Sequence, residues 1–257
     1  MGGALTIFKK ELKGFYLNPT FWIICFFASI IFSWVFTIQL NLFAQLLSNY
    51  VMQQGVDSKQ LNIHYGVFLR ILSVLHIILM FAIPALTMKL FSEEKKLRTF
   101  DLLLTSPVTS LEIVLGKYFA AVGALAGLVV LALLYPLASA MITKINWLPL
   151  FVSFFGLFLV GGVYVAIDLF VSSLTENSIA AYILSVFFNI SLWFVGYGAE
   201  VVDGEFSRKF FEHISLGTHL SNLAEGIIRT NGLILILSLI VLFCFLAERV
   251  VESSRWR

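Results

Sequence analysis

The chain reads as an all-α protein that crosses a membrane six times, and three observations predict it. Of its 257 residues, 60% are hydrophobic and only 12% are charged, about half the charged share of a soluble domain. The apolar residues are gathered in blocks of about 20, the length an α-helix needs to cross a hydrocarbon layer of about 30 Å. The longest charged run, from Phe91 to Pro107, lies between two of these blocks. No remaining stretch is long enough for a soluble unit, so 1–257 is expected to be a single transmembrane domain.

The first element is a short helix over about 4–17. Leu5, Phe8, Leu12 and Phe15 recur at spacings of three and four, with Lys9, Lys10 and Lys13 on the other faces. This is the pattern of an interfacial helix, apolar side in lipid and lysines toward headgroups. The break Asn18-Pro19 separates it from a full-length apolar block, an arrangement unlike a cleavable signal. The six spans are then Phe21–Leu40, Val67–Leu90, Ile113–Met141, Leu148–Leu174, Ile179–Tyr197 and Leu233–Val250. The segment from Asn41 to Gly66 is a loop or a helical extension of the first span.

After the second span, Ser92 is positioned to cap a helix with Glu93 and Glu94 in its first turn. Leu97, Phe100 and Leu104 would share one face of it, and Pro107 would end it. Thr109 and Glu112, three apart before an apolar run, predict a capping box that opens the third span. A tight turn, Leu174 to Ser178, joins the fourth and fifth spans. Over about 201–229, Phe206, Phe210 and Ile214, then Leu220, Leu223, Ile227 and Ile228, recur at helical spacing. They predict two re-entrant helices too short to cross, a form tolerated where protein or water covers the backbone.

Placing the amino terminus inside puts both termini inside. Eleven of the 17 Lys and Arg residues then lie inside and six outside, the bias of the positive-inside rule. The segment 91–110 thereby faces the cytoplasm, where a soluble partner reaches it.

Motifs for catalysis are missing from the sequence. There is no Gly-x-x-x-x-Gly-Lys-Ser/Thr loop for phosphates, no His-Glu-x-x-His pair and no Gly-x-Ser-x-Gly elbow. His64, His76, His213 and His219 lack metal-ligand spacing, Cys25 and Cys244 lie inside apolar blocks, and no basic patch suits nucleic acid. We therefore expect no catalytic, cofactor or metal site in this chain. Two ionisable residues inside spans, His76 and Asp168, form a candidate intramembrane polar site. A transport-linked charge and a hydrogen-bonded helix-packing role are the two readings, the second favoured.

The segment Phe91-Ser-Glu-Glu-Lys-Lys-Leu-Arg-Thr-Phe-Asp-Leu-Leu-Leu-Thr-Ser-Pro, followed by Leu-Glu-Ile-Val-Leu-Gly-Lys117, resembles the inner loop of type-2 ABC-exporter permeases. Ser172-Ser-Leu-Thr-Glu-Asn-Ser178, with Lys10-Glu11 and Asn18-Pro19, resembles the gliding-motility (GldF-like) and NosY-like branch. Where that pattern commonly has glycine this chain has Arg98, its usual glutamate is Asp101, and Asp168 replaces a small residue.

The resemblance implies a permease subunit of the bacterial inner membrane that dimerises with itself or a second permease. It also implies two separate ABC ATPase subunits, which bind the ATP and magnesium, and an accessory or periplasmic subunit as a further partner. Glu93, Glu94, Leu97, Arg98, Thr99, Asp101, Leu104 and Pro107 would form the ATPase-coupling surface. Export of an envelope-related substrate is the implied function. The alternative is a mechanotransmitting subunit that drives a partner complex without translocating substrate.

Overall fold

The computed structural model describes residues 2–53, 62–100, 107–143, 145–198 and 204–255. Its elements are helices: α1 (Gly2–Leu17), α2 (Pro19–Gln53), a π-helical turn His64–Phe68, α3 (Leu69–Thr87), α4 (Lys89–Lys96), α5 (Ser110–Ala140), α6 (Trp147–Leu174), α7 (Ser178–Phe194), a 3₁₀ turn Val195–Tyr197, α8 (Glu205–Ile214), α9 (Leu216–Ala224) and α10 (Thr230–Ser254). Among the described residues, six helical stretches are long and apolar enough to cross a membrane. They coincide with the six expected blocks, and the chain is an all-α polytopic membrane protein.

Local chemistry sets most of the boundaries. Pro19 opens α2 where its missing N–H costs nothing, and Asn18 Oδ1 accepts the Thr20 N–H at 2.9 Å. The first span runs on past Leu40 as one helix to Gln53, so its extension is helical. Asp57 and Lys59 beyond it lie outside the described residues. The expected capping box is present at α5: Glu112 N–H donates to Thr109 Oγ1 at 3.2 Å, and Thr109 N–H to Glu112 Oε2 at 3.2 Å. Asn177 caps α7 by accepting from the Ile179 and Ala180 N–H groups.

The central helix is α6, in which every residue from Val160 to Leu169 is buried. A helix apolar all round belongs inside a bundle, and α3, α4, α5, α7, α9 and α10 all pack on it. One of its ends meets α9 and the other meets α4. From Ser153 to Ser172 is about 28 Å at 1.5 Å per residue, close to the hydrocarbon thickness.

Two expectations need correction. In α1 the buried residue is Ile7, while Leu5 of the expected apolar stripe is 53% exposed. The reason is that α1 packs lengthwise on α5. A Cβ at Gly116 would lie 2.9 Å from Ala4 O and Ile7 Cβ, and one at Gly123 would lie 2.5 Å from Leu12 Cδ1. These glycines bring the two helices together, and the face of α1 turned to them is set by that seam. The second correction is at Ser92, which does not cap a new helix. It lies inside α4, which starts at Lys89 as a near-continuation of the second span.

The two short helices expected before the last span are α8 and α9. Leu216, His219 and Leu223 face inward from α9. The side chains of Phe206 and Phe210 lie outside the described residues, as do Glu200 and Asp203.

Candidate functional site

The site is built around the break between α3 and α4. Pro84 lies inside α3, and a proline removes one rung of the helical ladder. The chain bends at Met88, where a side chain from α6 enters. Ser172 Oγ accepts from the Phe91 and Ser92 N–H groups at 3.1 and 3.3 Å and donates to Met88 O at 3.1 Å. Insertion of a side chain into the i→i−4 ladder is a recognised cause of a kink. Ser92 Oγ bonds back to Met88 O and meets Ser178 Oγ at 2.9 Å. Lys95 Nζ donates to Ser173 O at 2.5 Å. Thus the serines of the 172–178 turn strap α4 to the ends of α6 and α7.

A buried ammonium holds the opposite side. Lys117, on the second turn of α5, is 1% exposed. Its Nζ donates to Leu90 O at 2.7 Å, Glu94 Oε1 at 2.9 Å and Glu11 Oε1 at 3.2 Å, using all three of its donors. It also lies over the Phe91 ring, 5.2 Å from its centroid. One lysine therefore joins α1, α4 and α5. The sequence presents Gly116-Lys117 and Lys10-Glu11 as separate motif pieces, with no sign that they meet. An ammonium near the start of an apolar helix is the one signal available.

Helix α4 ends abruptly. Arg98 N–H donates to Lys95 O at 3.1 Å and Thr99 N–H to Glu94 O at 3.0 Å, the paired bonds of a left-handed C-cap. Arg98 occupies that left-handed position with φ 55°. This reversal explains why Leu97 and Phe100 do not share a helix face as expected. Leu97 is 64% exposed and Phe100 is 4% exposed, the latter set edge-on against Phe91.

The structure thus divides the expected coupling residues. Glu93 is half-exposed and lies 4.0 Å from Lys89. Leu97, Arg98 and Thr99 project outward, and Pro107 is exposed. Glu94 turns inward to Lys117. Asp101 and Leu104 lie outside the described residues.

The intramembrane pair is separated. Asp168 is wholly buried. Its Oδ1 accepts from Asn189 Nδ2 at 3.1 Å, and its Oδ2 lies 3.2 Å from Thr87 Oγ1. His76 Nε2 instead meets Tyr164 Oη at 2.7 Å with the rings stacked. Each has its own neutral partner. The network around Asp168 ties α3, α6 and α7 together one turn before the α3–α4 break.

Comparison with known proteins gives one finding. The family model described as ABC-2 family transporter protein matches residues 5–247, nearly the whole chain. A search of curated proteins finds no match. With a match of that extent, the chain belongs to the ABC-2 transporter family and is a multi-pass membrane component of an ABC transporter.

Proposed function

We propose that this chain is the non-catalytic permease subunit of an ABC exporter. It couples ATP hydrolysis by separate ABC ATPase subunits to extrusion of an envelope-related substrate. In this reading it works as a dimer of permeases with two ATPases in a bacterial inner membrane, both termini cytoplasmic. The 172–178 motif favours the gliding-motility-like and NosY-like branch.

One observation carries the coupling role. Leu97, Arg98 and Thr99 form an exposed apex whose base is bonded to α1, α5, α6 and α7. A force applied at that apex is delivered to four helices at once. A surface loop that merely solvated its charges would have no need of such a frame.

The test is retention of the ATPase by tagged permease in mild detergent. Glu93→Lys and Arg98→Glu reverse outward charges without touching the Lys117 contacts. In a desolvated groove, loss of a bonded charge pair costs about 2–5 kcal/mol, against less than about 1 kcal/mol for a solvated charge. Retention should fall at least tenfold at equal permease recovery, and full retention in both variants would remove the apex from the contact. Substrate flux in vesicles then separates export from a subunit that drives a partner complex without translocation.

A further inference from the structure

A cavity of about 320 Å³ lies between α3, α7 and α9, with α6 as its floor. This is the low end of the range of small-molecule sites, about 300–1,000 Å³, and it suits a compact ligand. Ser73 and Ile77 on α3, with Ser221 and Glu225 on α9, are exposed and rim the mouth. Leu72, His76, Ser153 and Leu157 are buried below them. Half-buried Trp193 and Leu220 complete the walls. Along α3 the lining runs from Leu69 to Ile77, about 12 Å at 1.5 Å per residue.

A donor faces the cavity from below. His76 is 6% exposed, and its Nε2 meets Tyr164 Oη at 2.7 Å. Tyr164 is wholly buried, and its hydroxyl has no other hydrogen-bond partner among the described residues. The phenol proton therefore goes to Nε2, because a buried hydroxyl rarely leaves its proton unbonded. The ring's own proton is then on Nδ1. Nδ1 bonds to nothing among the described residues and, unlike Nδ1 of His64 and His219, it is not sealed from the surface. Its open edge meets the cavity that the ring lines. Such an N–H calls for an acceptor oxygen.

The mouth asks for the opposite. The Glu225 carboxylate is exposed and makes no ion pair or hydrogen bond among the described residues. It is the one charged residue among those lining the cavity, and neither Arg70 nor Arg229 lines it. Ser73 Oγ donates to Leu69 O and Ser221 Oγ to Thr218 O, so both hydroxyls present lone pairs. The rim thus offers a negative charge and two acceptors against no cation. Trp193 adds an aromatic surface, which attracts ammonium ions.

We infer that this cavity binds a compact amphiphilic amine, with its ammonium at the mouth on Glu225 and a carbonyl or ether oxygen on His76 Nδ1–H. Its short apolar body lies along Leu72, Leu157 and Leu220. A phosphate-bearing or carboxylate amphiphile would bring its charge against Glu225 with no cation to meet it. A plain hydrocarbon would leave the His76 N–H unpaired. The inference concerns binding alone and stands independently of ATPase docking.

The probe is methyl 8-aminooctanoate, which carries an ammonium and an ester at opposite ends of a straight alkyl chain. Its equilibrium binding to the full chain in phosphatidylcholine nanodiscs, corrected for empty nanodiscs, is compared with two controls. Nonylamine lacks the ester, and methyl nonanoate lacks the ammonium. The amino ester should bind about tenfold more tightly than either, the discrimination of one hydrogen bond to a well-placed partner. Glu225→Gln should weaken the amino ester and nonylamine about tenfold and leave methyl nonanoate unchanged. His76→Phe should bring the amino ester to the level of nonylamine. Ser221→Trp, which obstructs the mouth from an exposed position, should weaken all three. Melting temperature read beside them shows which variants fold, and if His76→Phe does not, the other two carry the test. Equal binding of the three compounds would mean partition into the bilayer only and would overturn the site. Undiminished amine binding by folded Glu225→Gln would overturn the ammonium contact. Nonylamine binding as tightly as the amino ester to the unmodified chain would overturn the imidazole contact.

Discussion

The two short helices α4 and α9 sit at opposite ends of α6 and stop in the same way. At the end of α9, Gly226 N–H donates to Leu223 O at 3.0 Å and Ile227 N–H to Asn222 O at 2.8 Å. These are the same paired bonds that close α4, and Gly226 has φ 84° where Arg98 has 55°. Glycine takes that conformation freely, whereas an L side chain costs about 1–2 kcal/mol. The surroundings differ in kind as well. The α9 end is tied by imidazoles and a hydroxyl on backbone carbonyls: Ala224 O meets His64 Nε2 at 2.9 Å and accepts from Ser153 Oγ at 2.7 Å, while His219 Nε2 meets His213 O at 2.9 Å. The α4 end is tied by a buried ammonium and two carboxylates.

One end is built for closure and the other for presentation. At α9 the chain turns where turning is easiest, against Pro149. At α4 a strained residue is retained at an exposed apex, and the strain is tolerated because the frame below it is strongly bonded. Backbone strain is stored where surrounding structure over-determines it. The guanidinium that Arg98 carries outward is what glycine would lack.

The largest effect is expected at Lys117. Lys117→Met should strand Glu11 and Glu94, and removing one partner of a buried pair costs about 3–5 kcal/mol. Both carboxylates retain about a fifth of their exposure, so the lower end is expected. Thermal unfolding in detergent reads the loss, and an unchanged melting temperature would show that the ammonium does not hold α1 and α4 together.

Exchanging the two caps sharpens the contrast with opposite signs. Gly226→Arg forces a side chain into the left-handed region, and its Cβ would lie 3.1 Å from Pro149 Cα and Cβ. Destabilisation of about 1–2 kcal/mol or more should follow. Arg98→Gly removes the strain and should raise stability by about 0.5–1 kcal/mol after the entropic cost of glycine. The same Arg98→Gly protein should bind the ATPase less well. A gain in both stability and binding would mean that the guanidinium has no role at the apex.

The smallest effect is expected at Asp168, near the α4 end of α6. In Asp168→Asn the amide oxygen still accepts from Asn189, and the new Nδ2–H faces Thr87 Oγ1, whose own proton goes to Ile83 O at 2.9 Å. The two groups that bond Asp168 both keep a partner, so stability should change by less than about 0.5 kcal/mol and activity should persist. Loss of turnover with assembly intact would instead assign Asp168 a transport-linked charge.

Much of this architecture was legible in the sequence because its signals are local. Apolar length specifies a span wherever the helix lies, and Asn18-Pro19, Thr109 with Glu112, and the turn Leu174 to Ser178 act within a few residues of themselves. The candidate site was legible as a segment, since a run of charges between two spans must sit at a membrane surface, within reach of a soluble partner. Its internal geometry was not. Ser92 carries every local mark of a helix cap, and the hydroxyl of Ser172, 80 residues away, contributes to a continuous bent helix there instead. Glu93 and Glu94 are adjacent and identical in composition, yet one faces outward and the other is claimed by Lys117. Sequence by itself determined the number of spans, most helix starts and the position of the charged segment between two spans. Which carboxylate is spent inside and which glycines close the α1–α5 seam were decided by tertiary packing. The physical reason is range: capping and hydrophobic length act over one or two turns, whereas a buried ammonium or a close helix crossing is defined only when distant segments arrive together.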